Sequence, residues 1–281
     1  MALLDKLLGL MARENTLLNL DNTDGQRIEI HQHGDYRWVF TGGVSIQSVL
    51  SLQAPESLVM PYQNMMLVVL LLPQLSGRRC PNILNLGFGG GGFERFFSAL
   101  KTAQDDMNMV SVELDAQMVA LAKTHLLVPQ TWPVKIEAAQ LYLSRHCQRE
   151  EQRFDLILCD LFNGQYHADC LEQKTFYADA ADTLTADGVM AVNLAPQSDQ
   201  ELVDILAVTR ACFAGVMVSK VEHLGNIVMV LSKQPLPTMA VLHRLAEEQE
   251  KLSQWPLDFV TLLAGFKPLP NLAGERLRNQ N

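Results

Sequence analysis

The chain contains little positive charge and few cysteines. Its 281 residues include 22 Lys and Arg against 31 Asp and Glu, a formal charge of −9. Because nucleic-acid binding is driven by clustered Lys and Arg, this balance argues against nucleic acid as a partner and favours a small cationic ligand. The five cysteines lack CxxC spacing, so they suggest neither a metal site nor a disulfide framework, and we expect reduced thiols in a cytoplasmic protein.

Long hydrophobic runs are also missing. The most apolar internal stretch, residues 65–72, is too short to span a bilayer and stops at Pro73. The Leu-rich residues 1–20 are interrupted by Asp5 and Lys6 and lack a small-residue cleavage signal, which favours an amphipathic helix over a targeting segment. We therefore expect a soluble protein that does not bind membranes.

The remaining composition suits one large α/β core with a smaller module. Residues 1–60 are predicted to form an N-terminal helix and a small β module, and residues 61–281 a Rossmann-type nucleoside-binding domain. Within the first module, β-branched and aromatic runs separated by glycine predict an antiparallel hairpin or meander at 27–31, 36–40 and 44–50. A helix is predicted over 64–72.

From residue 82 onward, strand and helix patterns alternate. Apolar runs at 82–86, 108–114, 134–138, 154–160 and 188–194 are followed by helical patterns at 93–101, 116–126, 140–147, 170–184 and 200–213. This alternation predicts a mainly parallel sheet with helices on both faces. A further hairpin, with a tight turn at Gly225-Asn226, is typical of the far edge of methyltransferase-like Rossmann folds; a charged helix over 239–252 and a frayed end follow.

A glycine cluster, residues 87–92 (GFGGGG), follows the first strand of this sheet. Glycines there let the backbone approach a ligand closely and present N–H groups at the start of the next helix. A purely structural tight turn would need the same residues, but the position between strand and helix favours binding.

Two carboxylates end predicted strands of the same sheet. Glu113 is placed to accept hydrogen bonds from ribose hydroxyls, although it could instead cap the next helix, a role that Asp115 can fill. Asp160 is delivered to the rim where ligands of parallel sheets bind, the alternative being a buried acid that caps a neighbouring helix. Cys159 should face the opposite side as a core thiol.

The histidines give weaker signals. His31 and His33 are spaced to share one strand face, but no third ligand is apparent, so we expect surface or hairpin histidines and no metal site. His167 and Asp169 lie in the segment after Asp160, which we expect to form a mobile lid over the pocket.

Taken together, these motifs resemble the spermidine synthase (polyamine aminopropyltransferase) family, from about residue 27 to about residue 233. The order and spacing of GGVSIQS, PESLVMPYQNMM, LNLGFGGGG, VELD, FDLILCDLFNG and TADGVMAVNL carry the likeness, which is closest to the short bacterial spermidine synthase-like proteins. The resemblance implies decarboxylated S-adenosylmethionine as co-substrate and no metal.

The resemblance also implies roles for individual residues. Asp160 would be the general base or amine-orienting carboxylate. The nucleoside co-substrate would be bound by Gln47, Gly87, Gly89, Gly90, Gly91, Glu113 and Ala138, and the amine by Tyr62, Gln63 and Asn163. The acceptor would be a small cationic amine.

Several positions depart from the family pattern. Gly90 stands where the family commonly has an Asp, Glu137-Ala138 replace a Gly-Asp pair, Asn163 replaces a second acid, and the late Tyr-Pro motif is not found. Gly90 would remove an acid that repels the carboxylate of ordinary S-adenosylmethionine. Replacement acids could come from Glu137, Asp169 or Glu172.

Three functions therefore stay open. The first is aminopropyl transfer, the second is an S-adenosylmethionine-dependent methyltransferase, suggested by Gly90, and the third is a non-catalytic nucleoside-binding homologue, suggested by Ala138 and Asn163. A homodimer is also expected, because a short meander alone is marginally stable in water.

Overall fold

The structure is a computed structural model, which describes residues 3–10, 15–21, 27–41, 45–72, 81–100, 108–148, 153–252 and 255–270. Several sequence features discussed above, namely Gly42, Gly43, Pro73, Cys80 and the chain end from residue 274, lie outside these described residues. Among the described cysteines, Cys147, Cys159, Cys170 and Cys212 are all unpaired. No helix in the described ranges combines the length and hydrophobicity needed to cross a bilayer.

The N-terminal module is one short helix and a four-stranded antiparallel sheet. Its elements are α1 (Leu3–Gly9), β1 (Thr16–Asp21), β2 (Arg27–His33), β3 (Tyr36–Thr41) and β4 (Ser45–Ser51), with strand order β1-β2-β3-β4. The predicted meander is confirmed. The tight turn between β2 and β3 places Gly34 at φ +55°, a conformation that glycine adopts without strain.

The predicted helix over residues 1–20 is wrong beyond Gly9. Strand β1 pairs with β2, and its side chains alternate: Leu18 and Leu20 pack towards the core, whereas Leu17 is 51% exposed. The leucines thus follow the two-residue period of a half-buried strand rather than a helical period. Pairing with β2 therefore makes this segment a strand and not a helix.

The second part of the chain forms an eight-stranded sheet. Its strands are β5 (Ile83–Leu86), β6 (Met109–Glu113), β7 (Val134–Ile136), β8 (Phe154–Cys159), β11 (Leu184–Leu194), β12 (Gly215–Lys220), β13 (Ile227–Ser232) and β14 (Lys267–Pro268). The order is β14-β12-β13-β11-β8-β5-β6-β7, parallel from β7 to β11 and antiparallel from there to β14. The predicted Rossmann-type, methyltransferase-like fold class is confirmed.

The helices cover both faces of this sheet, as predicted. They are α2 (Pro61–Met66), α3 (Gly92–Leu100), α4 (Ala116–His125), α5 (Ala139–His146), α6 (Lys174–Thr183), α7 (Asp199–Arg210), α8 (Met239–Leu252) and α9 (Phe259–Leu263). A 3₁₀-helix, Leu67–Leu71, continues α2. On β8, Leu156 and Leu158 face a cluster with α2, α3, α8 and α9, whereas Ile157 and Cys159 face one with α5, α6 and α7. Cys159 is fully buried, as expected of a core thiol.

A third cluster joins the two parts of the chain. Ile28, Ile30, Val39 and Leu50 of the N-terminal sheet pack against Phe88 and against apolar residues of α4. The meander is therefore buried by its own chain. This removes the physical reason given for a dimer, while the oligomeric state itself stays a prediction.

The hairpin at the far sheet edge is present, but its turn is longer than predicted. Strands β12 and β13 are joined by residues 221–226, closed by a hydrogen bond from the Val221 N–H to the Asn226 carbonyl. His223 and Gly225 both have positive φ, at 65° and 72°. The expected two-residue turn at Gly225-Asn226 is therefore wrong, and the longer loop places Asn226 beside the sheet end.

Candidate active site

A cavity of about 1030 Å³ lies at the carboxyl ends of the parallel strands. The strand order reverses between β5 and β8. From β5 the chain adds β6 and β7 on one side of the sheet, and then adds β8 and β11 on the opposite side of β5. This switch point is where doubly wound α/β sheets bind ligands. The glycine turn follows β5 and Asp160 follows β8, so both are placed here by topology.

Most of the predicted site residues meet in this cavity, although they come from distant parts of the chain. Its lining includes Gln47, Tyr62, Gly87, Gly89, Glu113, Ala138, Asp160 and Asn163. The fold thus brings these eight residues together in one cavity. Their individual roles stay predictions.

Three predicted residues do not line the cavity. A side chain at Gly90 would point at Ser48 and Leu126, and one at Gly91, which has φ +69°, would point at Val128. The amide of Gln63 packs against Gly92 in the core. A side chain at position 90 would face Ser48 and not the cavity, so the geometry gives no support to the expectation that Gly90 removes an acid that repels the carboxylate of S-adenosylmethionine.

The glycine turn is shaped by its contact with Asp160. The Gly87 N–H donates to the Val112 carbonyl, and the Asp160 N–H donates to the Leu86 carbonyl. Gly87 has φ +92°, and a Cβ atom there would overlap the Asp160 backbone carbonyl. Glycine is therefore required for both conformation and close approach.

Arg95 holds the glycine turn in place through hydrogen bonds. The sequence analysis did not identify this role of Arg95. Its buried guanidinium donates to the carbonyl oxygens of Pro55, Gly90 and Leu126. Burial lowers the pKa of Arg95 to about 10, so it stays charged at neutral pH. The adjacent charged pair Glu94-Arg95 in the otherwise apolar segment FERFF was the available signal.

Glu113 lies on the other side of the turn. Its carboxylate accepts hydrogen bonds from the Gly89 and Asp115 N–H groups, both at 3.0 Å. Burial raises the pKa of Glu113, while these hydrogen bonds lower it. The residue that caps α4 is Asp115. Its side chain accepts hydrogen bonds from the N–H groups of Gln117 and Met118 at the start of this helix. Glu113 therefore lines the cavity and does not cap α4.

Asp160 is strongly perturbed by its surroundings in the cavity. Its Oδ1 accepts a hydrogen bond from Asn193 Nδ2 at 2.9 Å, and the Tyr62 hydroxyl also bonds to this carboxylate. Burial raises the pKa of Asp160 to about 6, against the lowering effect of these two donors; the charge of Glu113 raises it further. An acid that titrates near pH 6 is ionised at neutral pH and can still accept a proton.

The Tyr62 side chain is itself buried. Burial raises its pKa well above the usual value, and the neighbouring charge of Asp160 adds to the effect. Tyr62 is therefore a neutral hydrogen-bond donor at any working pH.

Asn193 and Asn226 are site residues that the sequence analysis missed. Asn193 ends β11 beside Asp160, and Asn226 Nδ2 donates to Asn193 Oδ1 at 3.0 Å. The available signal was a polar residue in the otherwise apolar run GVMAVNL, at a strand end facing the same edge as Asp160. Asn226 could not be found, because its position depends on the length of the β12–β13 loop.

The cavity is strongly acidic. Its lining includes Asp5, Glu113, Asp115, Glu137, Asp160 and Asp169, and no Lys or Arg among the described residues. Clefts lined by one sign of charge concentrate ligands of the opposite sign. The geometry therefore suits a cationic ligand.

The expected replacement acids fall into two groups. Glu137 and Asp169 line the cavity, although Glu137 also pairs with Arg145. Glu172 does not line it; it lies with His167 and Glu201, and ligand atoms of these three residues are within 4.8 Å of one another.

In this last cluster the imidazole of His167 lies beside the Glu201 carboxylate. His167 Nδ1 accepts from the Ala195 N–H, which places the ring proton on Nε2. Nε2 lies 3.3 Å from Glu201 Oε1, so its proton faces a carboxylate. The two histidines of β2 differ in burial. His31 is buried and stacked on Trp38, whereas His33 is exposed. Burial of His31 was not expected.

The segment after Asp160 forms a small hairpin over the cavity. Its strands are β9 (Phe162–Asn163) and β10 (Tyr166–His167), and a 3₁₀-helix, Asp169–Glu172, follows. Gln47 Nε2 donates to the Gly164 carbonyl at 3.1 Å, which ties the hairpin to the N-terminal sheet. The position suits the expected lid, and its mobility stays a prediction.

Comparisons with known proteins agree with this geometry. No protein-family model matches the chain. The chain is 28% identical over 246 residues to a polyamine aminopropyltransferase of Neisseria meningitidis, covering 85% of this chain and 89% of the relative.

Two solved structures show the same fold. A probable spermidine synthase from Corynebacterium glutamicum superposes with a TM-score of 0.71 at 16% identity, over 93% of this chain and 92% of that one. Human methyltransferase-like protein 13, solved in complex with SAH, gives a TM-score of 0.61 at 21% identity, over 79% of this chain and all of that one. The chain is therefore similar in sequence to polyamine aminopropyltransferases, and similar in fold to a probable spermidine synthase and to a methyltransferase-like protein.

Proposed function

We propose that the protein transfers an aminopropyl group from decarboxylated S-adenosylmethionine to the nitrogen of a small cationic amine. The observation that carries the proposal is Asp160 at the topological switch point, opposite Glu113 in one acidic cavity. The sequence similarity to a polyamine aminopropyltransferase over 85% of the chain supports it.

The residues present fit this co-substrate. Glu113 ends β6 where a carboxylate meets ribose hydroxyls, and Gly87 and Gly89 leave the turn open to close approach. The acidic lining favours a sulfonium cation and an ammonium group in the same cavity. The sulfonium supplies the leaving group, because its carbon–sulfur bond breaks to give a neutral thioether.

Asp160 has the central part in the reaction. The attacking nitrogen must lose a proton as its bond to the aminopropyl carbon forms, and the carbon–sulfur electron pair leaves with methylthioadenosine. With a pKa of about 6, Asp160 is ionised at neutral pH and accepts that proton. Tyr62 and Asn193 hold the carboxylate by hydrogen bonds and leave it facing the cavity.

The test is release of methylthioadenosine from decarboxylated S-adenosylmethionine with putrescine as acceptor. We expect Asp160→Asn to lower the rate about 10²- to 10⁴-fold, which is the usual contribution of a general base. The rate of the unaltered protein should rise with pH through about 6. A rate unaffected by Asp160→Asn would contradict the role of this residue.

A second candidate is methyl transfer from S-adenosylmethionine. The fold shared with a methyltransferase-like protein solved with SAH favours it. Calorimetric titration of both sulfonium compounds separates the candidates, because a clear preference for the decarboxylated form excludes methyl transfer. Binding of either compound without turnover of any amine would instead indicate a non-catalytic nucleoside-binding homologue.

We also propose that the protein is a cytoplasmic homodimer that binds neither nucleic acid nor membranes and needs no metal. Support for the compartment comes from the unpaired Cys147, Cys159, Cys170 and Cys212. Support for the choice of partners comes from the net charge of −9.

A further inference from the structure

Two asparagines connect the β12–β13 loop to Asp160. Asn193 is only 1% exposed and lies at the end of β11, between β8 and β13. Its backbone pairs with Val228, and the preceding residue Val192 pairs with Cys159. This register places the Asn193 side chain between Asn226 and Asp160.

The hydrogen bonds along this row have a defined direction. Asn226 Nδ2 donates to Asn193 Oδ1 at 3.0 Å, and Asn193 Nδ2 donates to Asp160 Oδ1 at 2.9 Å. Because Asn193 Oδ1 already accepts, a flipped Asn193 amide would turn its NH₂ towards the Asn226 NH₂ and its oxygen towards the Asp160 carboxylate. Both contacts would be repulsive, so Asp160 and Asn226 together favour the orientation in which the Asn193 amide donates to Asp160.

We propose that Asn226 and Asn193 are positioning residues for Asp160, with Asn226 acting only through Asn193. Together they hold the carboxylate in one orientation and stabilise its ionised form. The significance for catalysis rests on the proposed function, whereas the relay itself is a property of the unliganded protein.

Other groups around Asp160 cannot replace this relay. Tyr62 contributes a second donor from α2, but Glu113 adds a like charge from β6. His223 of the β12–β13 loop is exposed and lines the cavity. Without Asn193 the buried carboxylate would keep one side-chain donor, and loss of a hydrogen bond to a charged group typically shifts a pKa by one to two units.

A double-mutant cycle tests the proposal. The pKa of Asp160 is measured by ¹³C NMR of the carboxyl carbon in the unliganded protein for Asn193→Leu, Asn226→Leu and the double variant. We expect Asn193→Leu to raise the pKa by about one to two units and Asn226→Leu to raise it by less. The double variant should match Asn193→Leu, because Asn226 then has nothing to orient.

Other results would overturn the relay. Additive shifts in the double variant would show that Asn226 acts independently, and an unchanged pKa in Asn193→Leu would show that Asn193 does not stabilise the charge. Asn108→Ala is the matched control, because this exposed asparagine lies at the opposite end of the strands. It should leave the Asp160 pKa unchanged.

Two further measurements keep the test decisive. If Asn193→Leu fails to fold, the side-chain NH₂ resonances of Asn193 in the unaltered protein should titrate with the same midpoint as Asp160, and their independence of pH would refute the contact. The acidic limb of the kcat/KM profile should move with the NMR pKa. Because the NMR measurements need no turnover, an inactive protein would contradict the proposed function and leave the relay intact.

Discussion

At the residue scale, the site combines one base with donors that neither titrate nor carry charge. Asp160 accepts from the Asn193 amide and the Tyr62 hydroxyl, and both donors are neutral at working pH. Neutral donors lower the pKa of a buried acid less than a cationic partner would, so Asp160 stays basic enough to take a proton.

The raised pKa of Asp160 predicts a pH-dependent cost to stability. Below about pH 4 the acid is protonated in folded and unfolded chains alike, so it has no effect. Between pH 4 and about 6 the unfolded chain loses its proton first, and stability falls with rising pH. Above pH 6 the penalty is constant. Asp160→Asn should therefore raise the free energy of unfolding by about 1 to 3 kcal/mol at pH 7.5 and leave it unchanged at pH 3.5.

Urea unfolding of both proteins at the two pH values measures this difference. Asp169→Asn is the control, because this acid lines the same cavity from the 3₁₀-helix that follows the hairpin. Stabilisation of equal size at both pH values would mean that the effect is not electrostatic.

Glu113 gives a second prediction at this scale. Replacing it by Gln removes the negative charge that, in the proposed function, accepts hydrogen bonds from the ribose hydroxyls. We expect methylthioadenosine to bind about 10- to 100-fold more weakly, since hydrogen bonds to charged groups contribute about 1.5 to 3 kcal/mol. Isothermal titration calorimetry measures the change. Unaltered affinity would place the ribose elsewhere.

At the scale of elements, the glycine turn joins the two halves of the site. Gly87 packs directly on the backbone of Asp160, and Arg95 holds the Gly90 carbonyl from below. The turn therefore sets the distance between Glu113 and Asp160, and a change in the turn should affect both sides of the cavity.

Gly87→Ala and Gly34→Ala form a matched pair for this element. Both glycines have positive φ, but a Cβ at Gly34 meets nothing within 4 Å, whereas one at Gly87 meets the Asp160 carbonyl. We expect Gly34→Ala to cost about 1 to 2 kcal/mol in the free energy of unfolding. Gly87→Ala should cost about 3 kcal/mol or more and weaken methylthioadenosine binding. An equal loss in the free energy of unfolding for the two variants would contradict the close approach of Gly87 to the Asp160 backbone.

At the scale of the whole molecule, the N-terminal sheet is buried against α4 and Phe88. One consequence concerns cooperativity: the two parts share a core, so thermal unfolding should be a single transition. Calorimetry that resolves two transitions would show that they are independent.

The homodimer is a separate prediction at this scale. Light scattering at working concentration should give about twice the chain mass of 31.3 kDa. Because the meander is covered by its own chain, a monomeric mass would leave the fold and the active site unaffected. A monomeric mass would contradict only the prediction of a dimer.

Local sequence patterns were enough to predict the parallel sheet, the glycine turn and the two acids at strand ends. These features have local signals: apolar runs of strand length, glycines at a strand-to-helix junction, and single carboxylates at strand ends. Parallel topology then brings strand ends to one edge whatever the details of packing.

Tertiary structure decided what has no local signal. Residues 16–20 form a strand only because β2 offers backbone partners, and Gly90 faces Ser48 only because β4 packs on the turn. Asn193 and Asn226 are 33 residues apart and meet through the loop between β12 and β13. Contacts of this kind depend on how distant segments pack, so the hydrogen-bond partners of Asp160 could be identified only in the folded chain.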